Sequence, residues 1–191
     1  MSKLSYTKDP KDVVQLVDTA VTLYHPDLEE AGLKVCALKA YKFDPDDQPE
    51  QAVKLHGHPA NAVAKNYDLK RRLQTGYDCE ILVDGHTWDR NASDAWRLAL
   101  IDHELTHFQL SLNKEGEQKI DDIGRPKLHM RPDDFMLTGF FEVVRRHGEF
   151  AGEAKAVREV HTLIAECLKT ALEQKVKASQ KHSQVPEEAV A

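Results

Sequence analysis

The run His103-Glu104-Leu105-Thr106-His107 fits the pattern H-E-x-x-H and carries the most chemistry in the chain. On a helix, residues four apart share one face, so two imidazoles one turn apart can reach a single ion. Zinc accepts such a pair at nitrogen distances of about 2 Å and keeps a fourth position open for water. Glu104 is rotated by roughly 100° from His103 about the helix axis, which suits a base that approaches this water without being a ligand. The chemistry implied is hydrolysis of a peptide bond, with Glu104 activating a zinc-bound water and passing its proton to the leaving amine. Five-residue patterns also arise by chance, in which case the histidines make ordinary hydrogen bonds and Glu104 is a surface carboxylate. The flanks Ala99-Leu100-Ile101, Leu105 and Phe108 are apolar, however, and polar groups on a helix buried over much of its circumference need partners.

A third ligand must come from elsewhere in the chain, and the downstream candidates are His129, Asp133, Asp134, Glu142 and His147. Glu142 ranks first. It stands within Phe140-Phe141-Glu142-Val143-Val144, where a buried carboxylate must be paired or coordinated, unless it lies on a polar stripe facing Arg145 or Arg146. Asp133 and Asp134 follow Pro132 at an expected helix start, where capping accounts for one of them and leaves the other for metal or for orienting a ligand. His147 precedes Gly148 at a helix end, a place that also suits a histidine through the helix dipole. His25, His56, His58 and His86 have no partner at ligand spacing and read as surface histidines, with His56-Gly57-His58 as an adventitious site.

The elements that would position these groups are an amphipathic helix over Lys11 to Tyr24, a strand over Lys34 to Phe43, and a helix within Pro59 to Leu73 that stops near Gly76. Asp78 to Trp88 reads as a strand that bends back at Asp84-Gly85 as a hairpin. Asn91 to Asp94 offers N-cap residues for a long helix from Ala95 to Leu112 that holds the motif. Gln118 to His129 reads as two short strands or a loop, Pro132 opens a helix through Arg146, and Glu149 to Lys177 reads as a further helix.

A chain of 191 residues with 41% hydrophobic and 30% charged residues suits one domain, expected over 1–177, with a polar tail over 178–191. The formal charge of -6 argues against general affinity for nucleic acid or anionic membrane; the short basic runs Lys70-Arg71-Arg72 and Arg145-Arg146 read as solvated helix faces. Met1 to Asp9 has no apolar run of a secretory leader and no stretch is apolar enough to span a membrane, so a cytoplasmic location is expected. Cys36, Cys79 and Cys167 are too scattered for a disulfide framework and read as reduced thiols.

Several blocks in order resemble the family called putative phage metallopeptidases, zincin-like proteins of phages and prophages. They are Ala95-Trp96-Arg97-Leu98-Ala99-Leu100-Ile101-Asp102 leading into the motif, Gly124-Arg125-Pro126-Lys127-Leu128, Asp133-Asp134-Phe135, and Gly139 through Gly148. The resemblance runs roughly from Val13 to Glu153. It implies an α+β, zincin-like fold, a zinc ion, a peptide or protein substrate and, for a phage or prophage protein, the cytoplasm of a bacterial host. Relatives tend to have His-Asp where this chain has Asp133-Asp134, so a ligand at Asp133 would be an aspartate replacing a histidine. A weaker resemblance, carried by His147-Gly148-Glu149-Phe150, is to SprT-like proteases, which use a later histidine ligand; the acidic charge and lack of a zinc ribbon set the chain apart from them. The alternative to an enzyme is a catalytically inactive zinc-binding or protein-interaction module.

Overall fold

The computed structural model describes residues 2–91, 93–133, 141–152, 154–155, 157–159, 161–162 and 169. In chain order the elements are β1 (Lys3–Lys8), α1 (Lys11–Tyr24), α2 (Pro26–Glu30), β2 (Val35–Phe43), β3 (Pro49–Glu50), β4 (Lys54–Leu55), β5 (His58–Pro59) and β6 (Ala62–Asn66). They continue with α3 (Leu69–Thr75), β7 (Cys79–Asp84), α4 (Gly85–Arg90), α5 (Asp94–Thr106), β8 (Phe108–Leu110), β9 (Leu128–Met130), α6 (Phe141–His147) and a 3-10 turn over Gly148–Phe150. The architecture is α+β: a small mixed sheet in the order β1-β2-β7-β6, with β3 added to β2, packed against helices. The β2 and β7 strands are parallel, and β1 and β6 run antiparallel to their neighbours.

Val13, Val17 and Ala20 recur at helical spacing and form the buried stripe of α1, which packs on Ile101 and Leu105 of α5 and on Ala37, Ile81 and Val83 of the sheet. The helix ends where Pro26 takes the first position of α2, a place where its missing N–H costs nothing. Side chains set the later helix starts. Asp68 accepts from Arg71 N–H for α3, Asp84 from Thr87 N–H for α4, and Ser93 from Trp96 N–H for α5. Just before β7, Asp78 is buried between the guanidinium groups of Arg72 and Arg125 and also accepts from Lys34 N–H, which fastens the loop after β8 to the sheet.

Five sequence expectations are corrected. Arg72, in a basic run read as a solvated helix face, is buried and pairs with Asp78. Pro59 to Leu73 is not one helix: Ala62–Asn66 pairs with β7 as a strand, and the Asp68 cap starts a separate helix after it. Asp84-Gly85 does not turn a hairpin, because Asp84 instead caps α4 and anchors Ala52 N–H at 2.7 Å. Gly85 there faces the Tyr41 ring so closely that a Cβ would lie 2.5 Å from it. The motif helix stops at Thr106 rather than Leu112, because Phe108–Leu110 pairs with Leu128–Met130. His25 is buried, not on the surface. The helix expected from Pro132 is seen as α6; its stretch 134–140, most of the helix expected after Glu149, and Cys167 lie outside the described residues.

Candidate metal centre

His103 lies in the last turn of α5 and His107 is the residue that leaves it, so the two rings face the same side, edge to face with centroids 5.1 Å apart. Antiparallel pairing of β8 with β9 sets Phe108 opposite Met130, which returns the chain to the motif and delivers Arg131 and then Asp133 beside it. Asp133 Oδ1 sits 3.7 Å from His103 Nε2 and 3.9 Å from His107 Nε2. One ligand atom from each of the three residues lies within 4.8 Å of the other two, and among the described residues no other group of three His, Cys, Asp or Glu gathers in this way.

The second histidine is oriented by the backbone. His107 Nδ1 is 2.8 Å from the Arg131 carbonyl, which can only accept, so Nδ1 carries the proton and Nε2 presents a lone pair toward Asp133. Burial lowers the His107 pKa, with the neighbouring His103 adding to it, and this outweighs the hydrogen bond to Arg131 that favours the charged form. The imidazole is therefore held neutral, the form that ligates a metal.

Asp133 Oδ1 is buried and has no hydrogen-bond partner among the described residues. A desolvated carboxylate oxygen without a partner costs free energy, and a cation between it and two imidazoles is the partner that this donor set fits. Glu142 is not one of the three gathered residues; its Oε2 lies 3.3 Å from Arg131 Nη2. His129 is 2.9 Å from Gln109 Oε1, and Asp134 lies outside the described residues. His147 Nε2 is 2.8 Å from Asp102 Oδ2.

Two neighbours of the cluster escape the sequence reading. Asp102, fully buried beside His103, gathers His25 Nε2 at 2.7 Å, Arg146 Nη1 at 2.8 Å and His147, and so ties α6 to the motif helix. Its sequence signal is a carboxylate next to Ile101 in an apolar run. Arg131 is the second, and nothing in its sequence surroundings singles it out.

The three clustered residues open onto a cleft of about 900 Å³, bounded by α5 on one side and by β6 and the β4–β5 hairpin on the other, with Glu104 and Arg131 in its wall. Glu104 is 4% exposed. The Asn61 carbonyl accepts from Asp84 N–H and Tyr67 N–H donates to the Asp78 carbonyl, so odd-numbered residues of β6 turn their backbone polar groups to β7. Ala62 and Ala64 therefore turn theirs outward, along an edge with which no strand pairs among the described residues.

The family model described as Putative phage metallopeptidase matches residues 9–167. The chain belongs to this family. Neither the curated proteins nor the solved structures give a match. The phage metallopeptidase match begins just before α1 and takes in the motif, Asp133 and α6, leaving β1 outside it. Membership carries with it a metal ion and peptide or protein substrates, and the His103, His107 and Asp133 cluster is the candidate for that ion. No helix among the described residues is long and apolar enough to cross a membrane.

Proposed function

We propose that this phage metallopeptidase is a zincin-like enzyme that hydrolyses peptide bonds with one zinc ion, held by His103, His107 and Asp133, and with Glu104 as general base. The observation that carries the reading is the buried Asp133 Oδ1, without a hydrogen-bond partner among the described residues, facing two imidazole nitrogens in the wall of a cleft. Two nitrogens and one carboxylate oxygen form a ligand set that zinc uses in hydrolases. Asp133 takes the place first assigned to Glu142, whose carboxylate is engaged by Arg131.

Zinc bound there supplies a Lewis acid that brings the pKa of water to about 7 and polarises a carbonyl. Glu104, next to His103 and in the cleft wall, accepts a proton from the attacking water and delivers it to the leaving amine nitrogen, so that the carboxylate is regenerated. The Arg131 carbonyl keeps His107 in the ligating tautomer throughout. An extended substrate adds to the sheet at the outward N–H and C=O groups of Ala62 and Ala64, which aligns its backbone beside Glu104.

The test is the zinc content of purified protein beside His103→Ala, Asp133→Ala, Glu142→Ala and Glu104→Gln. About one zinc per chain is expected in the wild type, lost in His103→Ala and Asp133→Ala and kept in the other two. Glu104→Gln is expected to keep its fold and metal while losing roughly 10²–10⁴-fold in peptide hydrolysis. Zinc lost in Glu142→Ala but kept in Asp133→Ala returns the third ligand to Glu142. A wild type that takes up no zinc overturns the reading, and one that unfolds on losing zinc but hydrolyses nothing is a structural zinc module.

A further inference from the structure

The helix that presents the metal centre presents something else on the same stripe. Trp96, Leu100, His103 and His107 follow one another at spacings of four, three and four residues, so all four face the cleft, the first two apolar and the last two ligating. Both apolar side chains are only partly buried; Leu100 also packs against the edge of the core to which Ile101 and Leu105 belong, whereas Trp96 does not. Across the cleft, the hairpin contributes Leu55, 44% exposed, and β9 contributes Met130, 40% exposed. The strand between them offers Ala62 and Ala64, small residues that leave the space open. An apolar lining of this kind, next to a polar reaction centre, is what a side-chain pocket of a binding site looks like.

From this lining we infer that the protein selects peptides carrying a large apolar side chain, aliphatic or aromatic, within two residues of the bond cleaved, and that Trp96 and Leu100 form the pocket for it. The inference rests on the proposed peptidase function and adds the substrate class. Its spacing follows from the geometry of the two partners. Same-side residues of an extended peptide lie about 6.6 Å apart. Leu100 precedes the midpoint of the two histidines by five residues, about 1.4 helical turns or roughly 7.5 Å at 1.5 Å per residue. A substrate whose scissile carbonyl meets the metal centre thus brings a neighbouring side chain onto Leu100, and Trp96, about 6 Å further along, closes the far end. Among the described residues, Arg131 is the one lysine or arginine in the cleft wall, and it belongs to the metal end.

The test measures binding rather than turnover. Zinc-loaded protein is titrated with two peptide hydroxamates, one with a leucyl and one with a glycyl side chain, and binding is read from Trp96 fluorescence, with Trp96→Phe giving the contribution of the fully buried Trp88. The leucyl compound is expected to bind at least about tenfold more tightly, the ratio that a side chain of this size earns in an apolar pocket. Leu100→Ala is expected to bring the leucyl-to-glycyl affinity ratio toward one; Trp96→Ala, read by displaced zinc indicator, should move the same way, and a ratio unchanged in both variants overturns the pocket. Equal affinity for the two hydroxamates overturns the pocket and leaves the proposed peptidase intact. Failure of both to bind zinc-loaded protein removes the pocket and the peptidase together.

Discussion

Arg131 and His107 are joined twice through the backbone and the ring: Arg131 N–H donates to the His107 carbonyl at 2.7 Å, and the Arg131 carbonyl accepts from His107 Nδ1 at 2.8 Å. The second motif histidine is thus clamped by the segment that also carries Asp133.

The clamp and the burial around it predict a pH dependence. The His107 pKa is lowered in the folded protein, chiefly by burial. The neutral ring is therefore the form the fold favours, and its contribution to stability is present above the unfolded value of about 6.5 and is lost as pH falls through the lower folded value. Urea unfolding of metal-free protein at pH 7.5, 6.5 and 5.5 should show the wild type losing stability toward acid more steeply than His107→Gln. Parallel profiles for the two proteins would refute the assignment.

Asp102 predicts a large effect from a small change. Burial alone would raise its pKa, but the His25 hydrogen bond, the Arg146 charge and His147 together hold it below the usual carboxylate value. Its ionised form stabilises the fold above about pH 4, and that contribution is lost as pH drops through the depressed value. Asp102→Asn leaves three donors facing an uncharged amide, and breaking a buried charged network of this kind costs roughly 3–5 kcal/mol. Chemical denaturation at pH 7 checks this, and a loss under about 1 kcal/mol would mean that the network contributes no more than a surface pair.

Gly85 predicts a clash that a second substitution relieves. A Cβ at this position would meet the Tyr41 ring at 2.5 Å, and moving that ring breaks its 2.7 Å hydrogen bond to Asp89. Gly85→Ala should cost about 1–3 kcal/mol, as overpacking does. Combined with Tyr41→Ala, the added methyl should cost far less than it does alone, and additive losses in thermal unfolding would show that the ring is not what excludes it.

Much of the frame was legible in the sequence because it repeats at a recognisable period. Val13, Val17 and Ala20 announce α1, and the alternation through Phe43 announces β2. The motif and its helix start were equally plain, since Ser93 is a local cap. The helix end was not. Phe108-Gln109-Leu110 is as compatible with a helix as with a strand, and what decides between them is Leu128–Met130, remote in sequence. The same remoteness hid the cluster around the histidines. Glu142 drew attention because its neighbours are apolar, yet Arg131 supplies it with a partner, whereas Asp133 resembled an ordinary capping residue until β9 brought it to the motif. Asp102 stood in full view, but its partners come from positions 25, 146 and 147.

The pairing of β8 with β9 makes the third arm of the centre a matter of phase rather than of length. What matters is that Phe108 lies opposite Met130, so the loop that joins the two strands can gain or lose residues at its tip around Gly116 without displacing Asp133. A slip of the strands by one residue, by contrast, would turn every following side chain to the opposite face and point Asp133 away from the histidines, even with the whole sequence intact. The centre is thus tolerant of insertions at the loop tip and sensitive to a shift that no single substitution in the motif would reveal.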